Sequence, residues 1–144
     1  MTRLAPLLAL LLFTACGADN TADKPASPPE ASPPAKEAAG ARSDIDVPAL
    51  KAALDAGSVR LLVDVRTDSE YRGGHVPGAV HIPLADLGRR MGELGTAEAG
   101  PVHLICQSGG RSGKAADLLV ESGYTAINVA GGTGAWRAAG YPVE

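Results

Sequence analysis

One heptapeptide concentrates reactive chemistry: Cys106-Gln107-Ser108-Gly109-Gly110-Arg111-Ser112. Its glycines let the backbone curl tightly. Successive N–H groups of such a curl converge on one point, and where the curl opens a helix they form an anion cradle. A cysteine at the rim of that cradle has its thiolate stabilised, below the free value of about 8.5, and becomes nucleophilic at neutral pH. Arg111 adds a cation whose planar fork suits an oxyanion. The candidate assignment is therefore Cys106 as nucleophile, with Gln107, Ser108, Gly109, Gly110, Arg111 and Ser112 binding the substrate. The competing reading is a buried, inert cysteine at a strand end. Glycines and an arginine crowded beside it argue against that.

Three other chemistries fail on spacing. A P-loop around Gly113-Lys114 would need Gly at 108 and Ser or Thr at 115, where the chain has Ser108 and Ala115. Zinc needs a cluster, but His103 and Cys106 lie three apart on an expected strand and point to opposite faces. The cysteine phosphatases place five residues between Cys and Arg, and here there are four. No metal and no cofactor is expected. Nucleic acid is also disfavoured: 13 Lys+Arg against 16 Asp+Glu give a net charge of −3, and 3% aromatic residues leave little for base stacking.

The loop needs a scaffold, and the apolar pattern supplies one over residues 44–144. Val59–Val65, Ala79–Ile82, Val102–Ile105 and Ala126–Val129 read as short strands, the apolar runs fitting a sheet covered on both sides. Helices are expected from Pro48 to Gly57, from Leu84 to Leu94, from Gly110 to Ser122 and from Thr133 to Ala139. Alternating strands and helices define an α/β fold, a mostly parallel central sheet with helices on both faces. Ligands of such sheets sit at the carboxyl ends of the strands, where the Cys106 loop falls.

The N-terminal part reads differently. Leu4–Phe13 is apolar, follows Arg3, and is too short to span a bilayer, as a signal h-region is. Phe13-Thr14-Ala15-Cys16 resembles the lipobox of bacterial lipoproteins, with Phe where Leu is usual, and implies a signal over 1–15 and acylation of Cys16. Residues 17–43 hold five prolines and eight alanines and no Val, Ile, Leu, Met, Phe, Tyr or Trp, too little apolar surface to offset ordering. They are read as a disordered tether. The expected location is the cell envelope, lipid-anchored and facing the periplasm. Gly17 in place of Asp after Cys16 argues against inner-membrane retention, and the sequence leaves inner versus outer membrane open.

With these residues in view, 44–144 resembles a single-domain rhodanese, a sulfurtransferase. The resemblance rests on Asp64-Val65-Arg66, Glu70-Tyr71, Gly74-His75-Val76-Pro77-Gly78-Ala79, the Cys106–Ser112 loop, and Gly131-Gly132-Thr133-Gly134-Ala135-Trp136, in family order. It implies the rhodanese-like fold and a reaction. Cys106 takes a sulfane sulfur from a small donor such as thiosulfate, holds it as a persulfide, and passes it to cyanide or a thiol. The four-residue gap between Cys and Arg implies a ring sized for sulfur. Asp64 and Arg66 are implied to brace the site through ion pairs, and His75 to lie near the pocket mouth. The alternative function is a sulfur carrier or protein-binding module of the envelope, with a partner protein in a sulfur relay.

Overall fold

A computed structural model describes residues 40–144. The stretch read as a signal, Cys16, and the stretch read as a tether up to residue 39 lie outside the described residues. Among those that are described, no helix is long and apolar enough to cross a membrane.

The elements run β1 (Arg42–Ile45), α1 (Val47–Asp55), β2 (Leu61–Asp64), α2 (Asp68–Arg72), β3 (Val80–His81), α3 (Leu84–Leu87), β4 (Val102–Ile105), α4 (Gly110–Glu121), β5 (Ala126–Val129) and α5 (Gly132–Ala138). Short 3-10 turns at Met91–Leu94 and Ala97–Ala99 precede β4. The five strands lie in the order β1-β5-β4-β2-β3, every pair parallel. Central β4 is buried along its whole length, as a strand covered on both faces must be.

Alternation along the strands divides the core into two layers. Val63, Leu104, Ala126 and Cys106 pack with Leu87 of α3 and with Ala115, Ala116 and Leu119 of α4. Leu62, Ile105 and Val129 pack with Val47 and Leu50 of α1 and Trp136 of α5. Each fully buried Leu or Val contributes about 1.5–3 kcal/mol by leaving water. His103 falls on the face away from Cys106, is buried, and its Nδ1 finds no hydrogen-bond partner. Burial holds its pKa below the usual imidazole value, as for a neutral packed side chain.

Three features differ from expectation. The sheet has a fifth strand, β1, and begins at Arg42, inside the stretch read as tether. Arg-Ser-Asp-Ile carries a single strong apolar residue, so nothing in its pattern announces a strand; pairing with β5 makes it one. The helix expected over Leu84–Leu94 is one turn, α3, followed by a separate 3-10 turn. Gly88 and Gly92 interrupt it, while Leu87 and Leu94 are still buried. Helix α2 had no expectation attached. It is capped by Glu70, whose Oε2 accepts from the Thr67 amide at 3.1 Å and the Thr67 hydroxyl at 2.8 Å.

Candidate active site

Cys106 follows the last residue of β4 and is 1% exposed. The chain then reverses through Gln107 and Ser108 into Gly109, whose φ of 101° is open chiefly to glycine, and enters α4. The reversal sorts the backbone polar groups into two sets. Carbonyls point outward: Cys106 O accepts from the Thr133 amide at 2.8 Å, Gln107 O from Gly134 at 2.9 Å, and Gly109 O from Gly113 at 2.9 Å. Amides point inward. Gly109 N–H donates to Cys106 Sγ at 3.1 Å, and the N–H groups of Ser108 and Ser112 also act on the sulfur.

Helix α5 therefore supports the loop from behind, its first amides satisfied by loop carbonyls. This requires Gly132 at φ 54°, because a Cβ there would sit 2.2 Å from Cys106 O. Thr133 Oγ1 also donates to Gln107 Oε1 at 3.1 Å. The Gly131–Gly134 run was quoted for its resemblance alone; its role as the loop's backrest emerges only in three dimensions.

Burial pushes the Cys106 thiol pKa up. Hydrogen bonds from the amides of Ser112, Ser108 and Gly109, joined by the Ser112 hydroxyl when its proton turns to the sulfur, outweigh it, so the net shift is downward. The causes that lower the thiol pKa are thus neutral hydrogen-bond donors. A thiolate so stabilised can attack an electrophilic sulfur, and the same amides can receive negative charge on a second sulfur.

Arg111 corrects one expectation. It is not a free cation awaiting an anion: Nη1 and Nη2 donate to Glu70 Oε2 and Oε1 at 2.7 and 2.6 Å. The guanidinium holds the Glu70 carboxyl well below the usual carboxylate range. Glu70 was quoted in a motif but given no role. It ties α2 to the first turn of α4, and its signal was the Thr-x-x-Glu spacing from Thr67.

The supporting residues separate into two groups. Asp64 and Arg66 are 0% and 1% exposed and pair through two nitrogens of the guanidinium, at 2.9 and 2.6 Å. Arg66 Nη2 also donates to Gly74 O at 2.9 Å, so the pair pins the turn leading to His75. His75 itself stacks on Tyr71 at a centroid distance of 3.8 Å and exchanges backbone hydrogen bonds with Glu144. Its described hydrogen bonds go to these residues and not to the 106–112 loop. Tyr71 stacks on His81 from its other side. Among the described residues no group of His, Cys, Asp and Glu side chains could hold a metal ion.

These features define a class: a parallel α/β domain that presents one activated cysteine in a ring of backbone amides at the carboxyl edge of its sheet. Residues 46–139 match the Rhodanese-like domain family. The chain belongs to that family. It is 34% identical over 102 residues to a sulfurtransferase of Allochromatium vinosum, covering 70% of this chain and 94% of that one. It is 37% identical over 70 residues to thiosulfate sulfurtransferase PspE of Escherichia coli, covering 49% of this chain and 67% of PspE. YrkF of Bacillus subtilis, named as a candidate sulfur carrier, is 37% identical over 101 residues, 69% of this chain. The chain spans 54% of the length of YrkF and 59% of that of YqhL from the same organism. Among solved structures, a rhodanese-like domain protein of Staphylococcus aureus superposes with a TM-score of 0.61 at 32% identity, covering 65% of this chain and 90% of that one.

Proposed function

We propose that this protein is a sulfurtransferase that moves a sulfane sulfur through a persulfide on Cys106. The observation that carries the reading is the inward set of amides around Cys106 Sγ. The Cys106 thiolate attacks the outer sulfur of a donor; with thiosulfate, the S–S bond breaks and sulfite leaves with its electron pair. The product is Cys106–S–S⁻, its charge on the outer sulfur, where the loop amides can meet it. A nucleophilic acceptor, cyanide or a thiolate, then takes that sulfur and returns the Cys106 thiolate. No cofactor and no net redox change are needed. Similarity to PspE supports thiosulfate as a donor.

A second reading, a persulfide carrier served by a partner protein, draws on one observation. Glu70 already neutralises Arg111, so the loop offers no unpaired guanidinium to a small anionic donor. The similarity to YrkF points the same way. Thiosulfate:cyanide turnover, together with mass spectrometry for one added sulfur on Cys106, tests both. Turnover supports the enzyme. A persulfide that forms only with a protein donor supports the carrier. No persulfide from any donor refutes both.

The N-terminal residues support a lipid-anchored domain in the cell envelope, facing the periplasm. Cys16→Ser should move the protein from the membrane fraction to the soluble one. Equal fractionation of the two forms would refute the anchor.

A further inference from the structure

A line of side-chain hydrogen bonds runs from the edge of the sheet to the reactive sulfur. Parallel pairing sets Asp44 of β1 opposite Asn128 of β5. Asn128 Nδ2 donates to Asp44 Oδ1 at 2.5 Å. Ser112 Oγ lies 2.6 Å from Asn128 Oδ1, 3.1 Å from Gly109 O and 3.4 Å from Cys106 Sγ. Ser112 is fully buried and Asn128 nearly so, so solvent does not complete the arrangement.

The proton count decides its meaning. A serine hydroxyl has one proton to donate, whereas carboxylate and carbonyl oxygens only accept. Asp44 is a carboxylate, held ionised by the Asn128 amide and, less strongly, by Arg42. The Asn128 nitrogen must therefore face Asp44, which leaves its oxygen facing Ser112. That oxygen is the nearest acceptor to the hydroxyl and takes its proton.

We propose that Asp44 and Asn128 are positioning residues that draw the Ser112 proton away from Cys106, so that the sulfur faces lone pairs of Oγ. The resting thiol is content with this, since its S–H can donate to Oγ. A free thiolate is not. It either forgoes the hydroxyl or takes its proton and leaves Oγ and Asn128 Oδ1 opposed at short range. Once Cys106 carries a persulfide the conflict ends, because Sγ is then a neutral bridging sulfur and the charge sits one atom further out. The line restrains the empty thiolate and suits the loaded state. This deepens the sulfur-transfer reading and rests on it for its purpose, but its test reads the thiol alone.

The charged groups on every side are few. Arg111 of α4, paired with Glu70 of α2, interacts with the cysteine and with Asp64 by charge, and Asp64, at the end of β2, is paired with Arg66 just beyond that strand. Arg42 of β1 pairs with Asp44 and also with Asp117 of α4.

The experiment is the pH dependence of iodoacetamide alkylation in a full-length Cys16→Ser chain, where Cys106 is the single thiol. In Asp44→Asn, the new amide nitrogen can face Asn128 Oδ1. Asn128 is then free to turn its own nitrogen onto Ser112, and the hydroxyl proton goes to the Cys106 thiolate, whose full charge outcompetes the neutral Gly109 carbonyl. The thiol pKa should fall by roughly 0.5–1 unit, about three- to tenfold more thiolate at any pH below it. Asp117→Asn removes a nearby carboxylate without touching Asn128 and should leave the pKa in place. In a Ser112→Ala background the Asp44→Asn change should have no effect. If Asp44→Asn fails to fold, Asp44→Ser, whose hydroxyl can also donate to Asn128, should shift the pKa in the same direction. An unchanged or raised pKa overturns the proposal. So does an equal fall in Asp117→Asn, or a fall that persists without Ser112, since either would make the effect one of charge alone.

Discussion

Breaking the Glu70–Arg111 pair from each side in turn should make the loop choose between donors by charge. In the native protein the pair is neutral. Arg111→Ala strands a carboxylate beside the reactive loop, and Glu70→Gln strands a guanidinium. The two side chains are 36% and 31% exposed, so the effective dielectric lies between a protein interior and water. With about 40 for the dielectric and about 8 Å to a bound donor, one unit charge acts with about 1 kcal/mol. A dianion such as thiosulfate then feels about 2 kcal/mol, roughly thirtyfold in rate, which salt reduces toward tenfold. An uncharged dialkyl trisulfide should feel almost none of it. We expect Arg111→Ala to lower kcat/KM for thiosulfate by about ten- to thirtyfold relative to the trisulfide, and Glu70→Gln to raise that ratio. The double variant should return close to the native preference. The assay is kcat/KM with both donors at two ionic strengths, where added salt should shrink every difference. If Arg111→Ala slows both donors equally, or Glu70→Gln depresses thiosulfate as Arg111→Ala does, the pair is a mechanical tie between α2 and α4 and does not tune donor charge.

Cys106→Ser keeps the loop but substitutes a hydroxyl of far higher pKa, so mass spectrometry should find no added sulfur while circular dichroism is unchanged. Gly132→Ala forces a Cβ against Cys106 O at a positive φ, and urea unfolding should show a loss of at least about 2 kcal/mol. Glu70 titrates well below its ordinary 4.5 in the folded protein, so its contribution to stability is complete above about pH 4.5 and is lost as pH falls toward the folded value. Glu70→Gln should remove that part of the acid sensitivity, measured as the difference in urea midpoint between pH 7 and pH 3. Inserting one residue between Gly110 and Arg111 should widen the ring and weaken persulfide formation, followed by the same mass measurement.

The alternation of apolar runs and helical spacings was enough to define a parallel α/β sheet and to put Cys106 at its carboxyl edge, because a strand covered on both faces must be apolar throughout. The glycines that follow Cys106, at 109 and 110, likewise declared a tight turn before any partner was known. Strand β1 was not legible: a polar four-residue edge strand has no pattern of its own and exists only through its hydrogen bonds to β5. Partnerships across long stretches of sequence were hidden for the same reason. Glu70 and Arg111 stand 41 residues apart and Asp44 and Asn128 stand 84 apart, and spacing carries no information about contacts that crossovers of the sheet create. Chain chemistry thus singled out Cys106 Sγ as the atom proposed to react. Whether Arg111 is a free cation or half of a neutral pair, and which way the one proton of Ser112 points, was decided only when β1, α2, α4 and β5 came together around the loop, since a charge or a hydroxyl acts through its nearest partners.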